Sequence, residues 1–126
     1  MGKNDDITWM QKESREQAEF FVKDNTLVIQ FNQDVDHHNA IWIREQADHL
    51  LEVRNVKNII FDFSRVTFMD SSGIGIIMGR YKKVIFIGGK IAVCGVCDTI
   101  NRILSLSGLY KIMECYPNVE EALKSV

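Results

Sequence analysis

Residues 67–81 read T-F-M-D-S-S-G-I-G-I-I-M-G-R-Y. An acid, two serines and a glycine stand where an apolar run gives way to helical spacing. Upstream, N-I-I-F-D-F (Asn58 to Phe63) is β-branched and aromatic, the composition of a buried strand. Downstream, Ile74, Ile77, Met78, Tyr81 and Ile85 recur on one face of a helix, which Gly88-Gly89 should end. The serines therefore mark a strand-to-helix turn. Open α/β sheets place their functional sites at such carboxyl ends of strands.

Working outward, F-F-V and T-L-V-I-Q-F flank the turn-like Lys23-Asp24-Asn25 and predict a β-hairpin. Ala40, Ile43, Ala47, Leu50 and Leu51 predict an amphipathic helix from about His38 to Val53, with Asp34 or Asp36 as its N-cap. K-I-A-V-C-G-V is a short apolar strand of the parallel-sheet kind. A helix over Thr99 to Leu106 follows, with Asp98 as expected cap and Gly108 as expected stop. Residues 111–116 predict a last strand, and Asn118 with Glu121 predicts a capping box opening a final helix. The order β-β-α-β-α-β-α-β-α implies a largely parallel sheet with an antiparallel edge. Residues 1–18 are polar and weakly patterned, so the expected division is an extension over 1–18 and one domain over 19–126.

The chain has 126 residues, 46% of them hydrophobic, enough for one self-sufficient core. Its net charge of −2 gives no electrostatic footprint for nucleic acid or an anionic membrane, so neither is expected as a partner. No stretch approaches the roughly eighteen apolar residues of a membrane span. The opening M-G-K-N-D-D-I-T-W lacks a secretory h-region, and Asp6 breaks the myristoylation pattern of Gly2. Three cysteines (Cys94, Cys97 and Cys115) cannot all pair, which suits a reducing compartment. The expected location is cytoplasmic.

Four chemistries compete for the serine turn. A nucleophile elbow needs G-x-S-x-G, and neither Ser71 nor Ser72 has the leading glycine; the histidines (His37, His38 and His49) form no triad pattern. Gly73, Gly75 and Gly79 are one residue off a dinucleotide fingerprint and lie within the helical pattern, where close packing against the sheet is the plainer role. The C-x-x-C pair Cys94 and Cys97 ends a strand, which favours buried thiols over redox centres, and His37 and His38 point to different faces. No metal or cofactor is expected. Last, a serine at a helix start can be a cap or a phosphorylation switch, because unpaired amides and the helix dipole accept a phosphate there. Residue pattern alone leaves cap and switch open.

F-M-D-S-S-G-I-G-I-I-M-G-R-Y-K closely resembles the signature of the STAS-domain anti-sigma factor antagonists of endospore formers. D-H-H-N-A (Asp36 to Ala40), G-G-K-I-A-V-C (Gly88 to Cys94) and L-S-G-L-Y-K-I (Leu106 to Ile112) support it, so the similarity runs from about residue 20 to 126. The resemblance implies a STAS fold, a mixed, mostly parallel sheet of four to five strands with about four helices. It also implies a non-enzymatic switch. The unphosphorylated protein would bind an anti-sigma factor that is also a serine kinase, releasing a sigma factor. Phosphorylation of Ser71 would end binding, and a PP2C-type phosphatase would reverse it. Asp36, His37, His38, Asp70, Ser71, Ser72, Gly73 and Ile74 would form the partner surface, with Ser72 the better candidate for the helix cap. A constitutive STAS scaffold is the alternative. The chain departs from the usual glycine–acid pair before D-H-H, having Gln33 and Asp34 instead.

Overall fold

The computed structural model describes residues 17–126. The extension expected over 1–18 lies outside them except for its last two residues. Five strands form one sheet in the order β1-β2-β3-β4-β5. β1 (Ala18–Lys23) and β2 (Thr26–Phe31) pair antiparallel through a two-residue turn, in which Asp24 takes φ 54°. An acid with a short side chain tolerates that left-handed backbone better than most residues do. β3 (Asn58–Asp62), β4 (Ile91–Cys94) and β5 (Glu114–Tyr116) then add in parallel.

Four helices connect or follow the strands: α1 (His37–Val53), α2 (Ser71–Ile85), α3 (Asp98–Leu106) and α4 (Val119–Ser125). Successive parallel crossovers advancing in one direction stay right-handed only if their helices share a face. The core divides accordingly. Phe20, Leu27, Ile29, Phe31, Ile59 and Phe61 pack with residues of α1, α2 and α3, such as Ile43, Ile77 and Ile100. On the other face Val28, Ile60, Ala92 and Cys94 pack with Ala122 of α4. β3 is buried at every position because both faces are covered, which is why its centre, Ile59 to Phe61, is apolar without alternation.

Several boundaries shift for identifiable reasons. The last strand starts at Glu114, because Leu109–Lys111 form a 3-10 turn after Gly108, whose φ is 79°. α3 begins at Asp98 itself, with Cys97 at the cap position and no side-chain cap bond, so Asp98 is not the cap. Asn118 does cap α4, accepting from the Glu121 amide at 2.8 Å. The Glu121 carboxylate lies 3.6 Å from Lys124, and the reciprocal half of the box is not formed.

The buried stripe of α2 is also rotated. It comprises Gly73, Ile76, Ile77, Arg80 and Val84; Ile74, Met78 and Tyr81 are half-buried, and Ile85 is 49% exposed. Arg80 enters the α1–α2 seam because Asp48 on α1 meets it. Its Nε lies 3.0 Å from Asp48 Oδ1 without hydrogen-bond alignment, while Nη2 donates to Oδ2 at 3.4 Å. Burial lowers the Arg80 pKa, and the Asp48 charge opposes that shift. A hydropathy pattern counts arginine as polar and therefore places the stripe one residue away.

Candidate functional site

The loops that follow β2 and β3 lie side by side. Val35 and Met69 form an isolated parallel bridge, and the Asp70 amide donates to the Val35 carbonyl at 3.1 Å. The residue after each bridge partner, Asp36 or Asp70, caps the helix that follows. Asp36 Oδ1 accepts from the amides of His38 (2.9 Å) and Asn39 (3.1 Å). Asn39 Oδ1 in turn accepts from the Asp36 amide at 3.1 Å, completing a capping box. Asp70 Oδ1 accepts from the Ser72 amide at 2.8 Å. Two carboxylates thus occupy two adjacent helix N-termini, where the dipole favours negative charge.

Asp70, and neither serine, is therefore the cap of α2. Ser71 is the first helical residue and is exposed, Ser72 is half-buried, Gly73 is buried and Ile74 is half-buried. Ser72 cannot serve as the cap because its own amide is the one capped. Gly73 is close-packed: a Cβ there would stand 2.5 Å from Met69 Sδ, so its tight contact is with the preceding loop rather than the sheet. Gly75 and Gly79 have open space where a Cβ would sit, so the packing role expected for them is not observed.

Asp34 is tied to the neighbouring loop instead of capping α1. Its Oδ1 accepts from the amides of Thr67 (2.8 Å) and Phe68 (3.1 Å), and the Thr67 hydroxyl donates to the same carboxylate. The bond from the Thr67 amide leads in pulling its pKa below the ordinary 3.8, against a smaller desolvation effect. Asp34 thus ties the loop after β2 to the loop after β3. The sequence offers Asp34 and Asp36 equally as the N-cap of α1, and the structure gives that role to Asp36.

His37 and His38 open α1, both exposed, with ring centroids 4.4 Å apart and 29° between planes. The rings stack, contrary to the expectation of opposite faces, because the first turn of a helix leaves their side chains free to fold together. Phe68 (55% exposed) precedes the Met69–Asp70 step, and Ile41 (54%) lies one turn into α1. These apolar side chains near the two caps were not singled out by pattern, since isolated exposed apolar residues carry no period. Among the described residues no group of three or more His, Cys, Asp or Glu could hold a metal ion. The C-x-x-C thiols differ: Cys94 is buried and pushed up to about 12, first by desolvation, while Cys97 is exposed, with Sγ 3.5 Å from the Val66 carbonyl. The expectation of a buried thiol holds for Cys94 and fails for Cys97, which sits at a helix start after all.

The family model described as STAS domain matches residues 17–122. The chain belongs to the STAS-domain family. Its relatives within that family are regulatory: it is 40% identical over 97 residues to an anti-sigma F factor antagonist of Paenibacillus polymyxa, covering 77% of this chain and 83% of that one. A second anti-sigma F factor antagonist, from Lysinibacillus sphaericus, is 30% identical, with 70% and 75% covered. The chain is thus of the anti-sigma factor antagonist type. Among solved structures, the antagonist SpoIIAA in its unphosphorylated form superposes with a TM-score of 0.71 at 26% identity, covering 85% of this chain and 94% of that one. The phosphorylated form of the Bacillus cell fate determinant SpoIIAA gives 0.70 at 30%, with 85% and 96% covered. The five-stranded mixed sheet and four helices are the STAS fold.

Proposed function

We propose that this protein is a phosphorylation-switched binding module that performs no chemistry of its own. In its unphosphorylated form it binds an anti-sigma factor that is also a serine kinase, and a sigma factor is released. The kinase modifies Ser71, binding ends, and a PP2C-type phosphatase restores the first state, all in the cytoplasm. The observation that carries this reading is the placement of Ser71: exposed, first in α2, and directly after an acidic cap that adjoins a second acidic cap. Similarity to a protein solved in phosphorylated and unphosphorylated forms supports it.

The geometry explains how one group could act as a switch without remodelling the fold. A phosphate at a helix N-terminus is compatible with the dipole, so α2 need not unwind. The Ser72 amide is already taken by Asp70. The added charge of about −1.5 to −2 therefore joins an existing carboxylate and is presented outward. Against a partner carboxylate about 4 Å away, one unit charge costs from about 1 kcal/mol in full solvent to about 4 kcal/mol at a partly desolvated contact. At about 1.4 kcal/mol per decade, that is a loss of roughly fivefold to a thousandfold in affinity for each unit of charge. Asp36, His37, His38, Asp70, Ser72, Gly73 and Ile74 complete the proposed contact surface around Ser71, with Phe68 and Ile41 as apolar neighbours.

Incubation with the cognate kinase and ATP, followed by peptide mass spectrometry, tests the assignment. Phosphate on Ser71 is expected; phosphate only on Ser72 would overturn the Ser71 assignment, and phosphate on neither serine would leave a constitutive scaffold as the reading.

A further inference from the structure

The carboxyl end of α2 carries a surface that the switch does not use. Ile85 (49% exposed), Phe86 (92%) and Ile87 (55%) are consecutive, and they run from the last helical residue into the turn before Gly88 and Gly89. Three large apolar side chains on a turn are an unusual exposure for a free surface. Lysines surround them. Lys82 and Lys83 lie on the last turn of α2, and Lys57 is the neighbour that a Cβ on Gly88 would meet. Lys90 and Lys111 line, with Ile85, Tyr81 and Tyr110, an open cleft of ≈ 420 Å³ beside the turn. All five lysines are exposed. The acids nearby are fewer: Glu114 lines that cleft, Glu52 lines the α1–α2 groove on the other side of the turn, and Asp48 is engaged by Arg80 and, at 3.9 Å, by Lys83. The chain's net charge of −2 thus conceals a separation, with acidic caps at one end of α2 and lysines at the other.

We propose that this end docks on the surface of an anionic lipid bilayer. The shape favours a bilayer over a protein groove. Successive residues of a turn point over a wide arc, so one rigid pocket covers one of them, whereas the fluid interfacial layer accommodates all three. Phe86 and the isoleucines enter the boundary between headgroups and acyl chains, and the lysines remain at headgroup level, where each adds attraction to anionic lipid. Among the described residues no helix is long and apolar enough to cross a membrane, so the contact is peripheral. α2 has 15 residues, a length of about 20 Å, which keeps Ser71 clear of the bilayer while the far end is docked.

The test is co-sedimentation of the full chain with vesicles of phosphatidylglycerol and phosphatidylcholine, and with phosphatidylcholine alone, at low and high salt. Binding is expected to the anionic vesicles only and to weaken with salt. Phe86→Asp should lower the partition coefficient by about tenfold or more, and so should Lys82→Glu combined with Lys90→Glu. Phe86 packs against little, so circular dichroism of Phe86→Asp should match wild type. Absence of vesicle binding, equal binding to both vesicle types, or equal binding by wild type and Phe86→Asp overturns the proposal. So does self-association of the lipid-free protein that Phe86→Asp abolishes, which would make the surface a protein contact.

Discussion

The two ends of α2 are built on opposite principles. At its start hydrogen bonds tie loop to loop and loop to helix: Asp70 caps the Ser72 amide, the Asp70 amide donates to the Val35 carbonyl, and Asp34 and Asp36 fix the adjoining loop and helix. At its finish, Ile85, Phe86 and Ile87 stand exposed among lysines. The first end is rigid and acidic, a place where a small chemical change alters the charge presented without altering the shape. The second is apolar and basic, a place whose energy is realised only against something else. One helix of 15 residues therefore serves as a spacer between two surfaces of different chemistry.

Four substitutions break or sharpen that contrast, in descending order of expected effect. Gly89→Ala strikes the apolar end hardest, since its Cβ would overlap the Lys57 backbone carbonyl, which has no freedom to withdraw. Chemical denaturation should show a loss of about 3 kcal/mol or more. Asp48→Ala removes the charge facing Arg80 in the seam between the ends. Arg80 is 5% exposed, but Asp48 itself is partly solvated, so a loss of about 2 kcal/mol is expected rather than the full cost of an orphaned buried charge. Ser71→Asp adds a single charge at the rigid end. Affinity for the anti-sigma factor, read by calorimetry, should fall by about tenfold, with stability within about 0.5 kcal/mol of wild type.

The smallest effect belongs to Asp34→Asn, at about 0.5–1 kcal/mol, because the carboxylate is largely exposed. Its pH dependence is diagnostic. A carboxylate whose folded pKa lies below its ordinary 3.8 stabilises the fold fully above that value and loses this contribution as pH falls through the folded value. The stability gap between wild type and Asp34→Asn should therefore narrow on acidification below about pH 3.8. A gap independent of pH would mean that the Thr67 and Phe68 amides do not hold the charged form.

The fold was legible because its elements obey simple signals: β3 has an apolar centre of Ile59, Ile60 and Phe61, the hairpin turn is marked by Lys23-Asp24-Asn25, and Gly108 stops α3. The helix starts were less so. Asp70 and Ser72 both suit a cap, and only the position of the first helical turn decides between them. Arg80 hid the true buried face of α2, since a pattern cannot know that Asp48 waits 32 residues earlier in the chain. For the same reason Ile85 was read as core while it faces solvent. At the site, residue pattern left cap and switch open and only the family resemblance of the D-S-S-G run singled out Ser71, while the loop-to-loop link through Asp34 was invisible because it joins residues 33 apart.

The most direct measurement compares the affinity of the unmodified protein and of protein stoichiometrically phosphorylated on Ser71 for the same anti-sigma factor, by calorimetry at fixed salt. The account predicts at least a roughly tenfold loss on phosphorylation, restored by a phosphatase, with the circular dichroism spectrum unchanged. Equal affinities for the two forms would contradict it.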